Sequence, residues 1–263
     1  MFSRTECIYK CKYNQAAHIK HKVDVSTMDK LPTEMLLGIF QLLSYTDLKI
    51  VMLVCRRWRQ IGEMPRLWSS LPVIVNKRNM SVMPEILSSG RFQSLDMLRI
   101  KSPLSEEVSK AILKHSGLRE FQVSSGGKKT IISVLTVICS LEINDLYLKM
   151  DGIKMFGVSP ELLAKAVTRL DGLDISDTRM TNKRAKAIFT AIIEGSNLTK
   201  LNIGFNNLSR VDPGLMAKVV TNLKILDVSG SELTQQQAVA ILTSVSEGCS
   251  LDALNFFIMT LEV

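Results

Sequence analysis

Histidine is nearly absent from this chain, with three in 263 residues, and cysteine is scarce at five. A serine or cysteine nucleophile needs a base beside it, and His18 and His21 fall in a charged lead over residues 1–28 that reads as disordered. His115 closes a helical pattern, where a cation suits the helix dipole. The cysteines are odd in number and irregularly spaced, which excludes a disulfide framework and points to a reducing compartment, cytoplasmic or nuclear. Cys7, Cys11, His18 and His21 offer the residue types of a zinc finger, but only six residues separate the pairs. A finger needs about twelve there to fold a strand and a helix round the metal. Cys55, Cys139 and Cys249 sit in apolar settings and read as structural thiols. Carboxylates are scattered singly, so no metal site is expected, and Gly126-Gly127-Lys128-Lys129 lacks the upstream glycine of a phosphate-cradling loop and reads as a solvated turn. No catalytic residue and no cofactor is expected.

Long apolar runs are missing too. Nothing approaches the twenty or so residues of a membrane span, and the first thirty residues carry charges where a signal peptide would need an apolar block. Neither membrane insertion nor export is expected. Aromatics make up 6% of the chain and are not interleaved with the basic residues, which argues against nucleic acid despite the net charge of +8. That charge is uneven: residues 1–90 hold 13 Lys and Arg against 7 Asp and Glu, residues 91–263 hold 20 against 18.

What is present begins at Leu31-Pro32-Thr33-Glu34. Proline costs nothing at a helix start, and an acidic residue in the first turn suits the dipole, so a helix is expected from near Glu34. Of the ten residues from Glu34 to Leu43 only Glu34, Gly38 and Gln41 are not apolar, whereas a helix on a small domain shows one apolar stripe. A unit of about forty residues has too little interior to cover that surface, so the excess belongs at an interface with another chain. Asp47-Leu48, Val54-Cys55-Arg56, Trp58 and Leu67-Trp68 follow. With Leu31-Pro32, Glu34, Ile39-Phe40 and Leu43, these residues resemble an F-box. The resemblance implies docking onto the Skp adaptor of an SCF-type cullin-RING ubiquitin ligase, and through it onto the cullin. It assigns Leu31, Pro32, Glu34, Leu36, Ile39, Phe40, Leu43, Leu48, Val51, Val54, Cys55 and Trp58 to adaptor binding, with Trp58 and Trp68 also bracing the unit from within.

Beyond Trp68 the chain is periodic. The frame apolar-x-x-apolar-x-apolar recurs at Trp68/Leu71/Val73, Leu95/Leu98/Ile100, Leu118/Phe121/Val123, Ile143/Leu146/Leu148, Leu170/Leu173/Ile175, Leu198/Leu201/Ile203, Leu223/Leu226/Val228 and Leu251/Leu254/Phe256. First positions lie 27, 23, 25, 27, 28, 25 and 28 residues apart, the period of leucine-rich repeats. The fullest unit runs from Leu198 to Asn206 and Leu208, with Asn206 placed to hydrogen-bond backbone freed as the strand turns away. Thr178, Ser231 and Asp151 hold that place in other units.

Helix signals fall between the frames. Ser105 caps Glu106-Glu107, Thr181 opens Asn182 to Glu194, and Thr234 opens Gln235 to Glu247 with Val239, Leu242 and Val245 inward. Ser159-Pro160-Glu161 and Asp212-Pro213 start shorter ones. Thr130 to Ile138 is rich in β-branched residues, yet the repeat phase places a helix there. This half resembles the ribonuclease-inhibitor type of leucine-rich repeat, and its pairing with an F-box resembles the F-box/leucine-rich-repeat substrate receptors.

The expected architecture is α/β: a three-helix F-box over 29–70, then a curved solenoid of seven to eight repeats over 71–263, parallel strands inside and helices outside. The resemblance implies a subunit that positions a protein substrate for ubiquitination and does no chemistry itself. The alternative is a repeat protein that binds the adaptor without delivering a substrate. Alternation along the strands sends Arg99, Lys101, Gln122, Tyr147, Asp174, Asn202, Asp227 and Asn255 to the concave surface. A basic segment would face Asp174, Asn202 and Asp227, and an acidic one Arg99 and Lys101. The last strand, with Phe256, Phe257, Ile258, Met259 and Leu261, is expected to leave an apolar edge uncapped.

Overall fold

The computed structural model describes residues 30–69, 71–92 and 95–256, in two compact units that divide between Leu71 and Pro72. The Cys7, Cys11, His18 and His21 set, the lead over 1–28, and Phe257, Ile258, Met259 and Leu261 lie outside the described residues. No helix among the described residues is long and apolar enough to cross a membrane.

Among the described residues of the first unit, four helices stand where three were expected: α1 (Thr33–Gln41), α2 (Tyr45–Val51), α3 (Arg56–Gly62) and α4 (Pro65–Ser69), because Leu67 and Trp68 ride on a short helix of their own. Pro32 stands just outside α1 as its cap, and its carbonyl accepts the Met35 and Leu36 N–H groups at 3.1 and 3.2 Å. The Ser44 hydroxyl caps α2 by accepting the Asp47 N–H, and the Cys55 sulfur caps α3 by accepting the Trp58 N–H. α3 packs on α1 and α2, and α4 on α1. Leu36, Phe40, Leu48, Ile61, Leu67 and Trp68 are buried. The indole N–H of Trp68 donates to the Gly62 carbonyl at 2.8 Å, so its burial leaves no polar debt. Met52 crosses Gly62 so closely that a Cβ there would stand 2.3 Å from its Cγ.

The second unit is a single sheet of eight parallel strands in chain order: β1 (Val73–Val75), β2 (Met97–Ile100), β3 (Glu120–Val123), β4 (Tyr147–Lys149), β5 (Gly172–Asp174), β6 (Lys200–Asn202), β7 (Ile225–Asp227) and β8 (Ala253–Asn255). Between them run α5 (Met83–Ser88), α6 (Glu106–Ile112), α7 (Lys128–Ser140), α8 (Pro160–Val167), α9 (Asn182–Ile193), α10 (Pro213–Val220) and α11 (Gln235–Ser246). Parallel neighbours need crossovers of one hand. Advancing one strand at a time, such crossovers keep the helices on one face. Leu98, Ile100, Phe121, Val123, Leu148, Leu173 and Ile175 point to that face and are buried.

Two frames pair differently from the expectation. Leu98 lies opposite Val73, not Leu71, and Phe121 opposite Leu148, not Leu146. The first and fourth frames therefore sit two residues later along the chain, and Ile153 rather than Asp151 takes the place equivalent to Asn206. In its own unit Asn206 is saturated. Its amide oxygen accepts the Thr178 and Met180 N–H groups at 3.2 and 2.9 Å, and its nitrogen donates to the Ile175 and Ile203 carbonyls at 2.9 and 3.0 Å.

The helices follow their caps. Ser105, Ser159 and Asp212 accept the N–H three residues on, and Thr234 with Gln237 forms a reciprocal capping box. Thr181 makes no side-chain cap. Lys128 and Lys129, read as a turn, open α7, whose Ile131, Val134, Leu135 and Ile138 are buried, so packing overrides β-branched propensity. α11 turns a different side inward: Ala238 and Ile241 are buried while Val239 and Leu242 are 56% and 50% exposed. Gln237 sets that rotation, since its buried amide donates to the Leu208 and Val211 carbonyls at 2.8 and 2.6 Å. His115 is buried as well, and loss of solvent lowers its pKa against the opposing pull of hydrogen bonds to the Leu87 and Phe92 backbone, so it is no solvated cation.

Candidate docking surfaces

On the first unit the residues assigned to the adaptor separate into three groups. Leu36, Phe40 and Leu48 are buried inside the unit and form its core rather than its surface. Leu31, Ile39, Leu43, Val51, Cys55 and Trp58 are half-buried, and Pro32, Glu34 and Val54 are exposed. Phe40 and Trp58 meet edge-to-face with ring centroids 5.5 Å apart, which couples α1 to α3. The Trp58 indole N–H is buried with no hydrogen-bond partner.

The surplus apolar surface is real but falls partly on other residues. Met35 is 57% exposed, Leu42 86%, Ile50 46% and Leu53 61%. Arg57 reaches back to donate to the Leu31 carbonyl at 2.5 Å and pins the start of α1 to α3. Sequence spacing gives no sign of that bond, because its partner is a backbone oxygen. The Cys55 cap is equally hidden, because sulfur is an unusual capping acceptor.

On the second unit, the sheet face opposite the helices carries one side chain per strand in register: Arg99, Gln122, Lys149, Asp174, Asn202, Asp227 and Asn255. Lys149 occupies the place the expectation gave to Tyr147. Tyr147 stands one row earlier, opposite Glu120 and Gly172. Burial pushes its phenol up to about 12, helped by the nearby Asp174, Glu120 and Asp151. Lys101 lies beyond the paired residues, at the end of β2.

The acidic end of this row already accepts hydrogen bonds from within the chain. The Asp174 carboxylate accepts the Ser176 N–H and hydroxyl at 3.1 and 2.8 Å, and is 7% exposed. The Asn202 oxygen accepts the Gly204 N–H at 3.1 Å, and Asp227 accepts the Ser229 N–H at 2.9 Å. Each side chain folds onto the N–H two residues ahead, the Asx turn that ends a strand. Asn255 is spent on Asp227 at 3.1 Å and Gln122 on Arg99 at 2.7 Å. Asp174, Asn202 and Asp227 thus each help to end a strand.

No group of three or more His, Cys, Asp or Glu among the described residues could hold a metal ion. Burial pushes the Cys139 thiol up, against the pull of Lys165 and Arg169, and so disfavours the thiolate.

Against known protein families, residues 28–71 match the F-box-like model. The N-terminal unit is an F-box-like domain, and the rest of the chain is a mixed α/β unit on a parallel sheet.

Proposed function

We propose that this chain is the substrate-recognition subunit of an SCF-type cullin-RING ubiquitin ligase. The F-box-like domain docks the Skp adaptor. The eight-stranded unit is a leucine-rich-repeat solenoid of the ribonuclease-inhibitor type that holds the protein to be ubiquitinated. The domain boundaries are 29–70 and 71–263, and the site of action is cytoplasmic or nuclear. The observation that carries this reading is an F-box-like domain whose own core is complete yet which leaves Met35, Leu42, Ile50 and Leu53 in solvent. Such surface on a small unit marks a protein partner. The repeat reading is supported by strands that pair in chain order and by the Asn206 hydrogen bonds across two repeats. Chemistry is supplied by the conjugating enzyme, and the gain in rate comes from holding substrate beside it.

Affinity capture from cells under proteasome inhibition, with the full chain and with residues 29–70 deleted, tests the reading. The full chain is expected to retain adaptor and one or more proteins that accumulate when the chain is depleted. The deletion retains those proteins without adaptor. Captured proteins whose abundance does not respond to depletion would leave adaptor binding without delivery.

A further inference from the structure

All eight strands are parallel, so every strand ends at the same edge of the sheet, and residues a whole repeat apart in sequence meet there. The five residues after each of β1 to β5 include six cations, Lys77, Arg78, Lys101, Lys128, Lys154 and Arg179, against two anions, Asp151 and Asp177. Lys129 follows directly. The five residues before the same strands include two cations, Arg119 and Arg169, against four anions, Asp96, Glu142, Asp145 and Asp171. One edge thus carries a net +4 and the other −2, while the same stretches after β6 and β7 hold a single charge, Glu232. The basic character is a row, invisible in sequence order and created by the register.

The turns of this row touch in succession. The Lys101 N–H donates to Val75, and the Ser125 hydroxyl to Lys101. The stem of Lys128 lies across Gly157, where a Cβ would meet its Cδ at 2.8 Å, and the Met155 N–H donates to Thr178. All seven cations are exposed. Among the described residues none of them is in an ion pair; of the nearby acids, Glu106 pairs with Lys110 at 2.6 Å and Asp151 with Lys149 at 3.9 Å. Phe156, 60% exposed, adds an apolar contact beside Lys154.

We propose that this edge binds an extended acidic segment, Asp or Glu spaced by uncharged residues, of the protein held by the repeats; the inference rests on the receptor reading above. Neighbouring strands lie about 4.8 Å apart, so five strand ends span about 19 Å, the reach of about six extended residues. Single ammonium groups on flexible stems suit carboxylates spaced along a chain. One phosphate would call for convergent, bidentate donors, and the two arginines, Arg78 and Arg179, stand at opposite ends of the row. Asp151 and Asp177 interrupt it. A peptide meets them with uncharged residues, whereas a phosphodiester backbone carries charge at every step.

Fluorescence anisotropy on the full chain tests this with a labelled ten-residue peptide of alternating glutamate and glycine. Competitors are a phosphopeptide carrying one phosphate and no carboxylates, single-stranded oligothymidine, and phosphatidylserine vesicles. The variant Lys101→Gln/Lys128→Gln/Lys129→Gln/Lys154→Gln removes the row, and Lys183→Gln/Lys186→Gln/Lys218→Gln removes exposed charge from α9 and α10. Tenfold or greater loss of peptide binding in the first variant, little change in the second, and weak competition by the other three probes are expected. Equal losses in both variants, or any of those probes displacing the peptide at lower concentration than unlabelled peptide, overturns the proposal. Adaptor capture by the same variants is read alongside. Peptide binding lost with adaptor retained places the effect on the edge, and peptide binding in a chain that captures no adaptor overturns the receptor reading while the edge stands.

Discussion

The ring of Tyr147 on β4 lies across Gly172 on β5 so closely that a Cβ on Gly172 would stand 2.2 Å from a ring carbon. The ring is anchored near its root by the strand, so it cannot swing aside as a long flexible chain would. Gly172→Ala is expected to destabilise the second unit by about 1 to 3 kcal/mol. Adding Tyr147→Ala should recover part of that loss. Denaturant midpoints of the two single variants and the double variant measure the coupling, and strictly additive effects would separate the two residues.

Asn206 serves backbone groups of two adjacent repeats from a buried position. Asn206→Ala leaves several of them unpaired, at about 1 to 3 kcal/mol each where water cannot replace the amide. A loss of at least about 3 kcal/mol is expected. Ser231→Ala, which removes one longer bond to the Ile203 carbonyl at 3.3 Å, should cost much less. Equal midpoints for the two variants would contradict the assigned role.

His115 makes stability fall in mild acid. The fold penalises its protonated form because burial strips the imidazole of water. Below its ordinary value of about 6.5 the unfolded chain takes up a proton that the folded chain does not, so stability is full above that pH and declines as pH falls towards the depressed folded value. Urea midpoints between pH 7.5 and 5.5 should decline in the wild type and flatten in His115→Gln. A decline of the same slope in both would assign it to another group.

Much of this was legible in the sequence, and the failures have common causes. The apolar frames give the right strands, but β1 and β4 slip by two residues. A slip of two keeps every side chain on its face, so hydrophobic alternation is blind to it, and Leu71/Val73 or Leu146/Leu148 fit as well as their successors. Only cross-strand hydrogen bonds settle the register. That slip is what exchanged Tyr147 for Lys149. On α11 the three valines and leucines formed a plausible inner stripe, but buried Gln237 carries two carbonyls and its need for them sets which side turns in. Phe40 and Leu48 belong to the family pattern because they hold the helices together, and a motif does not distinguish a residue that builds a surface from one that presents it.

Titration calorimetry of the full chain with purified Skp adaptor is the most direct measurement. Because Phe40 is 2% exposed, truncating it would cost the core about 3 to 5 kcal/mol, so the informative variant is Leu42→Asp/Leu53→Asp, compared with Val239→Asp/Leu242→Asp on α11. One-to-one binding is expected for the wild type and the α11 variant. Weakening by about thirtyfold or more is expected for the first variant, with unchanged circular dichroism, as for the loss of a hot spot worth about 2 kcal/mol. No binding by the wild type, or equal binding by all three, would contradict adaptor docking through the F-box-like domain.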